Sequence, residues 1–320
     1  AESAGAPLEC QVYQPPASDK GKAACSSPER PMVLVCSGLR VAEPASFKLG
    51  ASMRKSDSGV EGAACLYDAA TGRCVSVLSS SVGNGATVSA LSACGRFAAV
   101  VAMGRDKFHC VEVFHSPQGT WLGADNTPLA SALLADAEVS QVAFFTPPAG
   151  TTLESMPYQL MTGGVAEPVL WTLSGRFLSA TKTENVGDSA PGVDPDADMT
   201  TLVPAGPGSL VGGFTDGSLR VFVGPAATLV PSAHAGAVSA LSYAVPADSA
   251  PRLLSGSSDG VKLWAPMETE GSDSDSATGS TTLSMGCLQA YSVTEIAAAG
   301  NCVARSAADA VYVTSCELNS

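Results

Sequence analysis

Residues 234–264 read HAGAVSALSYAVPADSAPRLLSGSSDGVKLW, and most of the fold follows from them. Val238-Ser239-Ala240-Leu241-Ser242-Tyr243 alternates apolar and polar side chains, the period of a half-buried strand. After a Pro-rich connection comes Leu253-Leu254-Ser255-Gly256, a second apolar segment. Ser258-Asp259-Gly260 is a tight turn, and Val261-Lys262-Leu263-Trp264 runs on from it. Strand, Asp-Gly turn and strand make an antiparallel hairpin.

The unit recurs along the chain. Leu210-Val211-Gly212-Gly213, a Thr215-Asp216-Gly217 turn and Leu219-Arg220-Val221-Phe222 repeat the hairpin. Gln159 to Gly164 followed by Val169-Leu170-Trp171 is a third copy, and Phe97 to Ala102 followed by Val111-Glu112-Val113-Phe114 a fourth. Weaker copies end at Cys65-Leu66-Tyr67 and Val311-Tyr312-Val313. The closing aromatics Tyr67, Phe114, Trp171, Phe222, Trp264 and Tyr312 stand 47, 57, 51, 42 and 48 residues apart. Alternating strands are expected ahead of the later copies, at 88–92, 139–144, 199–203, 238–243 and 293–297. Units of this period, about four strands each, describe an all-β propeller of six or seven four-stranded blades. It occupies residues 31–320, with residues 1–30 as a tail or closure segment.

Composition agrees. Of 320 residues, 45% are apolar and 15% charged, enough for a core and against wholesale disorder. With 32 Gly and 21 Pro the chain is too punctuated for a helical bundle. The net charge of −13 argues against broad phosphate-backbone binding, so no nucleic acid is expected. No apolar run reaches the 18 or so residues of a membrane helix. The charge is uneven: residues 1–107 carry 11 basic and 9 acidic side chains, a net of +2, and residues 108–320 carry 6 and 21, a net of −15. An acidic partner is therefore tolerated only by the first third. The ten cysteines form no CxxC, and Ala1 to Pro7 lack the basic and apolar regions of a leader, so reduced thiols in the cytoplasm are expected.

His234-Ala235-Gly236, Ser255-Gly256-Ser257-Ser258-Asp259-Gly260 and Val261-Lys262-Leu263-Trp264 resemble one WD40 repeat. That resemblance implies a structural tetrad of His234, a serine of the second strand (Ser255 or Ser257), Asp259 and Trp264. Residues 60–265 are also similar, in the order of their features, to the first propeller of the echinoderm microtubule-associated-protein-like family. Gly62-Ala63-Ala64-Cys65-Leu66-Tyr67-Asp68 stands where that family has a strand ending in an Ile-Trp-Asp type motif. Pro168-Val169-Leu170-Trp171-Thr172-Leu173-Ser174-Gly175-Arg176 resembles its Phe-Trp-Thr-Leu-x-Gly strand. This similarity implies a microtubule-associated protein of the cytoskeleton or cilium, with tubulin as partner.

No catalytic residue, metal site or cofactor is expected. Gly256-Ser257-Ser258-Asp259-Gly260 fits G-x-S-x-G, but a nucleophile elbow needs a helix after the turn, and a strand follows. His109, Cys110 and His115 lie close in sequence, yet strand alternation puts Cys110 on the face opposite the histidines and no fourth ligand is evident. Asp194, Asp196 and Asp198 begin like a calcium loop, which fails at Met199 and Ala205, where Gly and Glu are required. Gly206-Pro207-Gly208-Ser209 lacks the third glycine and the helix of a dinucleotide site. Ser272, Ser274 and Ser276 lie among acids in the polar stretch 267–280, read as a loop, and are candidate phosphorylation sites. Lys48, Arg54 and Lys55, with Lys20 and Lys22 before them, are the one electropositive concentration and the candidate partner contact.

Blade-top loops without a catalytic constellation point to a non-enzymatic interaction scaffold that binds proteins and not membranes. The alternative is a generic WD40 adaptor in another complex, such as a degradation or trafficking assembly. A propeller hydrolase is disfavoured, because no pair of carboxylates or histidines stands at matching positions of different blades.

Overall fold

In the computed structural model the described residues are 9–13, 32–37, 63–78, 80, 83–104, 109–117, 119, 121, 127–134, 138–147, 158–165, 167–183, 194–245, 250–269 and 282–292. Every regular element among them is a β-strand, and the strands form four-stranded sheets whose strands follow one another in sequence order. The first sheet holds β1 (Glu9–Tyr13), β2 (Met32–Ser37), β3 (Ala63–Asp68) and β4 (Cys74–Leu78). The second holds β5 (Gly83–Leu91), β6 (Phe97–Gly104), β7 (His109–His115) and β8 (Ala130–Leu134). The third holds β9 (Val139–Phe144), β10 (Tyr158–Gly164), β11 (Val169–Ser174) and β12 (Phe177–Lys182). The fourth holds β13 (Met199–Pro204), β14 (Ser209–Phe214), β15 (Leu219–Val223) and β16 (Ala226–Val230). The fifth holds β17 (Val238–Ala244), β18 (Arg252–Ser257), β19 (Gly260–Thr269) and β20 (Thr282–Ser292).

The closing aromatics Tyr67, Phe114, Trp171, Phe222 and Trp264 fall on the third strand of each sheet, and Tyr312 lies outside the described residues. Four of the expected alternating strands are β5, β9, β13 and β17, and the fifth, at 293–297, also lies outside. Strand pairing defines two of the segments read from the sequence more closely. Glu9–Tyr13, inside the segment read as a tail or closure segment, pairs along its length with β2, from Glu9 opposite Cys36 to Tyr13 opposite Met32. The stretch 267–280, read as a loop, begins as strand: Met267, Glu268 and Thr269 continue β19 and pair with Ser284, Leu283 and Thr282.

The chain divides into two compact units. The first comprises residues 1–144, 149–162 and 171–180. Its core packs Met32, Leu34, Leu66 and Leu78 of the first sheet with Val100 and Phe114 of the second, and with Trp121. Trp121 is fully buried with a left-handed φ of 57°, an uncommon conformation for a bulky residue. Two bonds hold it: its amide donates to Ser116 Oγ (3.1 Å) and its indole Nε1 to the Gly95 carbonyl (2.8 Å).

The second unit comprises residues 145–148, 163–170 and 181–320. Val211, Leu219, Val221, Val238, Leu253, Trp264 and Met285 form its core. β14 is buried at every position, which is why its sequence is a continuous run of small and apolar residues. Its glycines leave space that neighbours fill: Gly212 is close-packed by Met199, Phe214 and Phe222, and Gly213 by Val238 and Thr201. Thr200 Oγ1 ties the fourth sheet to the fifth by donating to the carbonyls of Gly213 and Val238.

Candidate functional site

The fifth sheet is built on the β18–β19 hairpin. Ser257 pairs with Gly260, Ser255 with Lys262 and Leu253 with Trp264. Asp259 sits in the turn, and His234 lies in the turns before β17. This register brings four side chains together. His234 Nδ1 lies 2.5 Å from Asp259 Oδ1, and its Nε2 lies 2.6 Å from Ser255 Oγ. Trp264 Nε1 donates to the same Ser255 Oγ at 2.7 Å. One assignment of protons satisfies every atom: Nδ1–H donates to the carboxylate, the Ser255 hydroxyl donates to Nε2, and the indole donates to Ser255. His234 is then neutral, the form a buried ring favours. Ser257, the other serine the sequence left open, donates instead to the Gly236 carbonyl at 3.0 Å.

The electrostatics fit this chain. Burial pushes the His234 pKa below its ordinary value, more than the Asp259 bond raises it. For Asp259, burial pushes up, but the Ala235 amide, the His234 ring and the Lys262 ammonium together hold it below the usual carboxylate range. The Ala235 amide donates to Asp259 Oδ2 at 3.0 Å, and Lys262 Nζ lies 3.5 Å from the same oxygen while donating to the Ala233 carbonyl. The arrangement fixes a turn; it presents no nucleophile. Ser258, the central serine of G-x-S-x-G, is exposed in that turn and leads into β19.

Two solved structures share this architecture. The Cps50 (Swd1) β-propeller domain of Myceliophteria thermophila superposes with a TM-score of 0.52 at 11% identity, over 82% of this chain and 69% of that one. Sqt1 from Chaetomium thermophilum gives a TM-score of 0.52 at 17% identity, over 84% of this chain and 60% of that one. This chain is a β-propeller of the WD40 type. At these identities the likeness concerns the fold. No protein-family model and no curated protein matches the sequence.

Each sheet is a blade, and the blades carry the tetrad unequally. In the third, Trp171 Nε1 donates to Thr162 Oγ1 at 2.9 Å, nine residues apart like Trp264 and Ser255. The sequence reading missed Thr162; a hydroxyl nine residues before a third-strand Trp is the signal that finds it. In the fourth, Phe222 replaces Trp and Gly213 stands at the hydroxyl position, so neither partner of that bond is present.

Other candidates serve packing. His109 Nδ1 accepts from the Val139 amide at 3.2 Å, linking β7 to β9. His115 stacks on Phe97, ring centroids 4.5 Å apart, and its pKa is pushed down by burial and by Arg96. Cys110 is buried, and burial and Glu112 raise its thiol to about 11. Among the described residues no three His, Cys, Asp or Glu could hold a metal. Asp194 Oδ1 accepts from the Asp196 amide (3.0 Å), Asp216 Oδ2 from the Asp194 amide (3.4 Å), and the Asp198 amide donates to Thr215 Oγ1 (3.0 Å). Arg220, buried, donates to the Asp194 carbonyl (3.3 Å) and stacks on Phe214, 3.9 Å from the ring centroid. The acidic loop is thus folded onto the fourth blade's turn instead of gathering its carboxylates. Lys48, Arg54, Lys55, Ser272, Ser274 and Ser276 lie outside the described residues.

Proposed function

We propose that this propeller is a non-enzymatic scaffold that binds other proteins. The observation that carries the reading is the tetrad itself. His234, Asp259 and Ser255, residue types that elsewhere do acid–base and nucleophilic chemistry, are spent with Trp264 on holding a turn, so blade 5 offers a rigid platform with polar turn residues such as Ser258 at its rim. The partner class we favour is the microtubule lattice, which places the protein in the cytoplasm, at the cytoskeleton or cilium. What supports this finer reading is the resemblance of residues 62–68 and 168–176 to the microtubule-associated family, and the net +2 of residues 1–107 with Lys48, Arg54 and Lys55.

Co-sedimentation with polymerised tubulin at low and raised salt tests it. Pelleting that weakens as salt screens the contact is the expected result. No pelleting at low salt overturns the microtubule reading and leaves the generic adaptor, which the net −15 of residues 108–320 favours with a basic partner.

A further inference from the structure

The first blade holds a pair of thiols that a defect in the ladder turns toward each other. Cys65 pairs with Val77 and Leu66 with Ser76, so a regular register would set Tyr67 opposite Val75 and Cys74 opposite Asp68. On that register Cys74 would point to the face away from Cys65, because successive side chains alternate. Instead the register shifts between Leu66 and Tyr67, and Tyr67 faces Cys74. The bulge moves Cys74 onto the face that Cys65 and Tyr67 share, the re-aiming of a side chain that bulges perform. There the two thiols are near enough to shift each other's titration, and the Cys74 thiol donates to the Ser76 carbonyl at 3.5 Å. Both cysteines are free, Cys65 buried and Cys74 partly exposed.

We propose that Cys65 and Cys74 form a reversible cross-strand disulfide on exposure to a hydroperoxide, Cys74 reacting first and Cys65 resolving. Exposure sets the order. The Cys74 sulfur attacks one oxygen of hydrogen peroxide: an S–O bond forms, the O–O bond breaks, and the departing hydroxide takes the thiol proton to leave as water. The Cys65 sulfur then attacks the Cys74 sulfur: the S–S bond forms, the S–O bond breaks, and the second hydroxide leaves as water with the Cys65 proton. Two thiols and one peroxide become one disulfide and two waters. Burial raises both thiols, Cys65 to about 11, so thiolate is scarce at neutral pH and the pair answers to sustained oxidant. The product staples β3 to β4 across the turn between them.

Arg73 separates the two cysteines, which makes the test direct. The folded full chain is treated with hydrogen peroxide at neutral pH, alkylated, and digested with trypsin without reduction. The expected product joins residues 56–73 to residues 74–96, two hydrogens lighter than the separate peptides, and dithiothreitol releases it. Fragmentation assigns the bond to Cys74, since residues 74–96 also contain Cys94. A bond through Cys94, or Cys74 carried to sulfinic acid with no link, overturns the proposal. So does a link that forms equally well in protein first unfolded in urea. With Cys65→Ser, dimedone should trap a sulfenic acid on Cys74; no adduct there overturns the order of attack.

Discussion

Ser255 stands between two buried rings and serves both, accepting from the Trp264 indole and donating to His234 Nε2. Ser255→Ala leaves both ring atoms unpaired in the interior, at about 1–3 kcal/mol for each buried orphan. We expect a loss of about 2–4 kcal/mol in urea unfolding, against about 1 kcal/mol for Ser257→Ala, which removes a hydroxyl that donates to the Gly236 carbonyl. The ring's protonation adds a pH dependence. His234 has a folded pKa below its reference value of 6.5, so the unfolded chain binds the extra proton and stability falls as pH drops below about 6.5. Asp259 is also depressed, from 3.8, so its contribution is present above that value and a further loss follows only in more acidic solution. A melting temperature that declines from pH 7.5 to 5.5, and declines less in His234→Gln, is the expected result. His115, depressed by burial and by Arg96, titrates in the same direction and keeps part of the slope in the variant. Equal slopes in both proteins would mean that His234 is not the group that titrates.

At the scale of the element, the turns do work that side chains elsewhere share. Gly217 in the β14–β15 turn has φ +78°, and its carbonyl accepts from the His234 amide at 2.8 Å. A Cβ there would run into the His234 carbonyl, so Gly217→Ala meets both a left-handed backbone and a backbone clash. We expect a loss of about 1–3 kcal/mol, read by urea unfolding, with Gly224→Ala as the comparison: also left-handed, at +59°, but with open space around it. If the two cost the same, the fourth blade's turn does not seat His234. These turns were also the most legible part of the chain, because Asp-Gly between apolar runs has few readings besides a hairpin. What escaped notice depended on pairing at a distance. β1 is five residues of mixed character, ECQVY, and only its partner β2 makes it a strand. β19 reads as ending at Trp264, the closing aromatic of its repeat, with a polar stretch following at 267–280. It continues because Ala265 to Thr269 pair with Gly286 to Thr282 of β20, a partner strand that lies beyond the stretch 267–280. Thr162 was hidden for a similar reason: a threonine in a strand is ordinary until the fold sets it beneath an indole. The bulge that turns Cys74 toward Cys65 likewise leaves no mark in the order of residues.

Across the whole molecule, the charge of −13 is large enough to shape association, and it is not evenly placed. An acidic lattice meets a nearly neutral first third and a strongly acidic remainder. Attraction then rests on few groups while repulsion comes from many. Removing the attractive groups should therefore matter more than their number implies. An exposed ion pair contributes about 0.2–1 kcal/mol, so losing three contacts at Lys48, Arg54 and Lys55 weakens binding by roughly tenfold before any new repulsion is counted. Reversal to Glu adds that repulsion, so Lys48→Glu, Arg54→Glu and Lys55→Glu together should abolish pelleting with polymerised tubulin at low salt. The control is Arg176→Glu, which changes an exposed charge in the turn between β11 and β12 and should leave pelleting near that of the parent. Salt distinguishes the two forces in the same experiment. In the parent, added salt screens a short-range attraction and binding falls. In the triple variant it screens only repulsion, so any residual binding should rise. A triple variant that pellets like the parent, with the same decline in salt, would remove the basic cluster from the contact and move the search for a partner to the acidic two-thirds of the chain.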